Sequence, residues 1–171
     1  RVDRRQRQMC IRDRGYGVEI NDKKILSCIE KNVPVIKLDI DLGLHDFELS
    51  NFDMSIMARS IQCLRNPNIA LEKMLSLSKT CVVTLPNLGY WRCRINLAVG
   101  KMPVTPDLPS SWYETENIHL CTIRDFENLC EEQSITIKEK FFIGPKNKKG
   151  IMSSINPNFF ATEGVYLLEK K

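Results

Sequence analysis

Apolar stretches of strand length alternate with amphipathic stretches of helix length along most of this chain, and that alternation constrains the fold more than any other feature. GYGVEI is followed by Asn21-Asp22, suited to capping a helix, and by KKILSCIEKN, where Ile25, Leu26 and Ile29 recur at helical spacing. VPVIKLDIDL reads as a second strand ending in an Asp39-x-Asp41 pair, and FDMSIMARSIQCL as a third running to about Ala58. Asn66-Pro67 place a cap and a proline at the start of a helix with Leu71, Met74 and Leu75 on one face. TCVVTLP is a fourth strand stopped by Pro86. GYWRCRINLAV then puts Trp91, Ile95 and Ala98 on one helical stripe, with Gly100 as terminator.

A proline-punctuated loop, MPVTPDLPSSWYETENIH, leads to Thr122-x-x-Asp125, a capping box with Asp in place of Glu. The helix it opens carries Ile123, Phe126 and Leu129 on one face. ITIKEKFFI, a polar hairpin-like GPKNKKG, an irregular segment and GVYLLEK close the chain as two antiparallel strands. The class implied is doubly wound α/β, a mostly parallel sheet covered by helices on both faces with an antiparallel edge. Sheets of this kind bind ligands in the crevice at the carboxyl ends of their strands, where Glu19 and Asp39 fall.

At 171 residues the chain has room for one domain with a sizeable core. Its net charge of +4 comes from 25 basic and 21 acidic residues. Residues 1–14 hold six arginines and two aspartates, so the remainder carries 19 of each sign and is neutral. A neutral body lacks the footprint that phosphate binding needs, which argues against nucleic acid as a partner. Seven cysteines without a C-x-x-C pair and only two histidines, His45 and His119, give no metal-ligand pattern. Cys28, Cys63, Cys81, Cys121 and Cys130 sit among apolar residues and read as small hydrophobes in a reducing, cytoplasmic setting. No apolar run approaches the ~20 residues of a membrane span.

A strand-end carboxylate can accept both hydroxyls of a ribose, and one at the end of the next strand can receive an adenine amino group. Glu19 and Asp39 suit those tasks, although acids at strand ends also serve as helix caps. The segments GYGVEI, VIKLDIDLGLHDF, FDMSIMARSIQCLRNP, PNLGYWRCR, GKMPVT and WYETENIHLCTIRDFE, from Gly15 to Cys130, resemble the MetW family of methionine biosynthesis proteins, which have a class I S-adenosylmethionine-dependent methyltransferase-like fold. The resemblance implies a Rossmann-like fold in which Glu19 binds the ribose, and Asp39 and Ile40 line the adenine pocket. It also implies S-adenosylmethionine as cofactor and a homoserine O-acyltransferase as partner. Asn21 stands where an aspartate often follows the ribose acid. The family's first strand and glycine-rich turn have no counterpart before Gly15, so the resemblance implies a partial domain over residues 15–171 with weak or absent cofactor binding.

Residues Arg4–Arg14, RRQRQMCIRDR, back-translate in a single frame to a transposase-type sequencing-library adapter. Residues 1–14 are accordingly read as artefactual or disordered and excluded from the fold. Two groups then compete for the function. Trp91, Arg92 and Asn96, with Trp112, Tyr113 and His119, form either a substrate lid or partner surface, or ordinary aromatic core. His119, between Ile118 and Leu120, is read as structural ahead of general base, and Arg124 as a surface residue. Two functions follow: support of homoserine O-acyltransferase by direct association, or methyl transfer to a small acceptor, where positioning supplies much of the rate.

Overall fold

The computed structural model describes residues 15–43, 52–105, 108–115, 117–145 and 151–170. Residues 1–14, His45 and most of GPKNKKG lie outside them. The chain divides into two compact units, Arg1–Asp46 and Phe47–Lys171.

In the first unit, strand β1 (Gly17–Glu19) pairs in parallel with β2 (Val35–Lys37), placing Gly17 opposite Val35 and Glu19 opposite Lys37. Helix α1 (Asp22–Glu30) joins them, started by Asn21, whose Oδ1 accepts from the backbone N–H groups of Lys23 and Lys24. The cap expected from sequence is thus present. Asn32 turns the chain back with φ of 52°, in the left-handed region that asparagine tolerates. A short α2 (Ile40–Gly43) follows β2. The apolar face read on α1 is not buried: Ile25 is half-buried, while Leu26 and Ile29 are about 60% exposed. Two three-residue strands offer too little surface to cover it.

The second unit carries a four-stranded sheet in the order β3-β4-β6-β5. Strand β3 (Phe52–Ala58) runs parallel to β4 (Ser78–Pro86), and β6 (Glu163–Lys170) lies antiparallel between β4 and β5 (Ile135–Ile143). The antiparallel strand is therefore one place in from the edge. The helices of this unit are α3 (Pro67–Leu77), α4 (Trp91–Ala98), α5 (Ile123–Glu132), α6 (Ile151–Ile155) and α7 (Pro157–Phe160). The last two replace the irregular segment expected before β6; proline at the first position of α7 explains its start.

Strand periodicity builds the core. Cys81, Val83 and Leu85 alternate on β4 and are fully buried, and their cross-strand partners on β6 are Leu168, Tyr166 and Gly164. Gly164 leaves the space that the Tyr166 ring fills, since an added Cβ would stand 2.8 Å from it. Phe126 of α5 stacks on Tyr166 with ring centroids 4.7 Å apart, and Ile123 and Cys130 are buried beside it. The α5 face read from sequence therefore holds, with Leu129 half-buried at its margin. Its capping box is complete: Thr122 Oγ1 accepts from the Asp125 N–H, and the Asp125 carboxylate accepts from the Thr122 N–H.

Helix α4 differs from expectation. Cys93 is buried and Trp91 half-buried, but Ile95 is 54% exposed and Ala98 is exposed. The buried line passes through Tyr90, Cys93 and Leu108, so a small thiol rather than the large aliphatic residue fixes the helix rotation. On β3, Met54 and Ile56 are half or more exposed. Among the cysteines, Cys81, Cys93 and Cys130 are buried, whereas Cys28, Cys63 and Cys121 are half-buried.

Candidate functional site

Both acids singled out from sequence lie at the carboxyl ends of neighbouring parallel strands in the first unit. Glu19 ends β1, and its Oε1 accepts from the N–H groups of Ile20 and Asn21, both at 3.0 Å. Its Oε2 has the Lys24 ammonium 3.9 Å away. Asp39 follows β2 by two residues. Its Oδ1 accepts from Asp41 N–H at 3.0 Å and its carbonyl from Leu42 N–H, which opens α2, while Ile40 beside it is half-buried. Each carboxylate thus uses one oxygen to shape the loop after its strand. The arrangement presents acceptors at the strand ends, the chemistry that hydroxyl and amino donors require.

In the second unit the end of β4 is organised by Asn87, which sequence reading passed over. It is 2% exposed and makes five hydrogen bonds. Its Nδ2 donates to the carbonyls of Ala161, Pro157 and Asn158, and its Oδ1 accepts from Gly89 N–H at 2.8 Å and Ile123 N–H at 3.3 Å. One side chain so ties β4 to α7 and to the first turn of α5. A Cβ on Gly89 would meet the Asn158 carbonyl at 2.7 Å, so only glycine fits there. Arg94 clamps the same turn, donating from Nε to the Gly89 carbonyl at 2.6 Å, with its guanidinium over the Phe159 ring. Much of the distinctive PNLGYWRCR stretch is accounted for by this architecture. The sequence signal available was Pro-Asn-x-Gly directly after a strand.

The aromatic segment divides into separate groups. Trp91 packs against the Tyr90, Cys93 and Leu108 cluster, with Arg92 stacked on its ring at 5.2 Å and the Asn96 amide donating to the Arg92 carbonyl. Trp112 and Tyr113 are 72% and 70% exposed and meet edge to face at 5.6 Å. His119 is exposed, with Nε2 3.3 Å from the Arg65 carbonyl and its backbone N–H donating to the Gln62 carbonyl. Arg124 is exposed, and its backbone N–H points to Asn158 Oδ1.

A small cleft lies where β3 and β4 end, lined by Gln62, Pro86, Leu88, Leu108, Asn117, His119, Leu120 and Cys121. Cys121 is no nucleophile, because burial first and the Asp125 carboxylate second push its thiol up to about 11. Burial and Glu127 likewise push Cys130 up to about 12. Burial, then Glu127, raise the Tyr166 hydroxyl, which donates to Glu127 Oε1 at 3.2 Å. Among the described residues no cluster of three or more His, Cys, Asp or Glu could hold a metal, and no helix is long and apolar enough to cross a membrane.

With this geometry in view, comparison with known proteins is informative. Residues 5–168 match the family described as methionine biosynthesis protein MetW. The chain is 26% identical over 157 residues to the bifunctional methionine biosynthesis protein MetXA/MetW of Rhodopirellula baltica, covering 91% of this chain and 25% of that one. It therefore spans about a quarter of the length of the curated relative it matches. Among solved structures, a SAM-dependent methyltransferase of Thermotoga maritima is 15% identical with a TM-score of 0.59, covering 91% of this chain and 72% of the other. One from Archaeoglobus fulgidus is 17% identical with a TM-score of 0.55, covering 96% and 80%. At such identities the likeness is one of fold, a Rossmann-like S-adenosylmethionine-dependent methyltransferase architecture. With a match across nearly the whole sequence, the chain belongs to the methionine biosynthesis protein MetW family.

Proposed function

We propose that this protein serves methionine biosynthesis by associating with a homoserine O-acyltransferase and supporting its activity. The observation that carries this reading is the Rhodopirellula baltica relative, whose name joins MetXA and MetW in one bifunctional chain. Fusion of two functions in one polypeptide raises their effective concentration, which favours parts that work together. Trp112 and Tyr113 supply exposed aromatic anchors of the kind that dominate interfaces. Trp91, Arg92 and His119 complete the proposed partner surface, with Trp91 doubling as core.

We propose S-adenosylmethionine as the cofactor of the first unit. Its ribose hydroxyls and adenine amine are donors, and Glu19 and Asp39 are acceptors, so the donor set fits. Glu19 would take the ribose, Asp39 and Ile40 the adenine. When bound, the cofactor supplies an electrophilic methyl group. The loop bonds of Glu19 and Asp39 hold both carboxylates in place before a ligand arrives. Methyl transfer to a small acceptor is the second reading, favoured by the fold shared with methyltransferases.

Co-expression with the homoserine O-acyltransferase of the same organism tests the first reading. The expected result is co-elution and at least a tenfold rise in acyl transfer, with Trp112→Ala/Tyr113→Ala weakening association tenfold or more. Separate elution with an unchanged acylation rate overturns it. Transfer of labelled methyl to an acceptor in the same extract, without the acyltransferase, would favour the second.

A further inference from the structure

Of the eight residues of α4 only Cys93 is buried. So short a helix is marginal by itself, and this one is held at both ends. At its start Tyr90 and Cys93 pack with Leu108, and Arg94 Nε donates to the Gly89 carbonyl at 2.6 Å. At its end Gly100 takes the left-handed conformation with φ of 75°, so that Gly100 N–H donates to the Leu97 carbonyl and Lys101 N–H to the Asn96 carbonyl. That pair of bonds closes a helix through a glycine. The outer face of α4 is therefore fixed in place while it remains uncovered.

What this face carries is apolar and basic. Arg92, Ile95 and Val99 recur at spacings of three and four and form one row along the helix, with Ile95 54% and Val99 64% exposed. Leu97, Met102 and Val104 are exposed as well, which makes five large apolar side chains among residues 95–104. Single exposed apolar residues are ordinary, whereas a group of this density marks a contact surface. No Asp or Glu lies between Glu72 and Asp107 in the sequence. Arg92, Arg94 and Lys101 have no ion pair among the described residues. Stacking of Arg92 on Trp91 and of Arg94 on Phe159 orients both guanidinium groups and leaves their charge in place.

The charge decides among occupants. A second copy applied through the same face would set these cations against one another, which opposes self-association. A groove that is apolar at its floor and edged with Asp and Glu matches the row and the cations together. We propose that the outer face of α4, centred on Arg92, Ile95 and Val99, docks in such a carboxylate-edged groove of the homoserine O-acyltransferase. The proposal rests on the partner reading above and gives that contact its helix and its charge. The fusion relative favours a protein occupant over anionic lipid, the other surface that attracts an apolar, basic helix.

Association of the full chain with the acyltransferase of the same organism is measured by calorimetry in low and in high salt. Ile95→Ala/Val99→Ala should weaken it about tenfold or more at both salt levels. Arg92→Glu/Lys101→Glu should weaken it about tenfold or more in low salt and less in high salt, where the repulsion is screened. Lys101→Glu alone, which leaves the Arg92 stacking intact, decides the charge arm should the double variant fail to fold. Association of the wild-type chain with every variant unchanged overturns this docking and leaves the partner reading standing. No association of the wild-type chain overturns both. Capture by phosphatidylglycerol vesicles that is lost in Arg92→Glu/Lys101→Glu, with the acyltransferase left unbound, assigns the face to lipid and likewise overturns the proposal.

Discussion

The ends of β1 and β2 and the end of β4 solve the same problem, shaping a loop after a strand, in opposite ways. Glu19 and Asp39 bond to backbone one or two residues ahead, and the loop after β1 is exposed while that after β2 is half-buried. Asn87 instead reaches partners 36 to 74 residues away, besides Gly89 two residues on, and is buried. The first arrangement leaves one oxygen of each carboxylate outside the loop bonds, that of Glu19 with Lys24 3.9 Å away. The second leaves nothing spare, since both atoms of the amide are committed several times over. A local, open cap is cheap to build and free to bind, whereas a distant, buried hub is costly to disturb and holds the unit together.

Alkaline titration should strain this contrast most. Cys121 is raised to about 11, Cys130 to about 12, and Cys81 and Tyr166 upward as well, all in the second unit and all with burial as the first cause. Their ordinary values are 9.0 for the thiols and 10.0 for the tyrosine. Between those values and the raised ones the unfolded chain releases protons that the folded chain retains. Stability is therefore fully present below about pH 9 and falls as pH rises towards 12. The urea midpoint of the second unit, followed by far-ultraviolet circular dichroism, should drop steadily from pH 9 to pH 12. A flat midpoint would show that these groups reach solvent.

Next in size is Asn87→Ala. Removing the amide leaves the Ala161 carbonyl and the N–H groups of Gly89 and Ile123 without their partner, a loss of about 3 kcal/mol or more. Both tryptophans, Trp91 and Trp112, lie in the second unit, so their fluorescence reports its unfolding directly. A change below about 1 kcal/mol would break the distinction between hub and open cap.

Legibility in the sequence follows the same division. The strand-end acids, the Asn21 cap and the Thr122–Asp125 box were readable because their partners lie within three residues. The α/β alternation was readable because strand and helix have different apolar periods. Asn87 was not, since one asparagine after a strand looks like any turn residue until α7 and α5 are placed around it. The rotation of α4 was missed because Cys93 outranks Ile95 in burial, which no size-based stripe would suggest. Helices α6 and α7 were missed because five and four residues are too few to show a period.

The two caps allow a finer comparison. Thr122→Ala breaks a box that feeds the buried face of α5 and should cost about 1 to 2 kcal/mol. Asn21→Ala removes an equivalent side-chain bond on α1, a helix with no buried residue, and should cost about 0.5 kcal/mol. Amide hydrogen exchange at Lys23, Lys24 and Asp125 separates the two. Equal losses would mean that cap chemistry, rather than what the helix buries, sets the scale.

The smallest effect on stability is expected for Glu19→Gln. Glutamine keeps a carbonyl oxygen for the N–H groups of Ile20 and Asn21 and gives up only the charge facing the exposed Lys24 ammonium at 3.9 Å. Such pairs contribute little, so stability should change by less than about 0.5 kcal/mol. On the proposal that Glu19 takes the ribose, any affinity for S-adenosylmethionine, measured by calorimetry, should fall about tenfold, because hydrogen bonds from hydroxyls to a carboxylate are stronger than those to an amide. Loss of affinity with stability intact is the signature of an open strand end built to bind. The reverse pattern, stability lost and affinity kept, would place Glu19 with Asn87 among the residues that hold the fold.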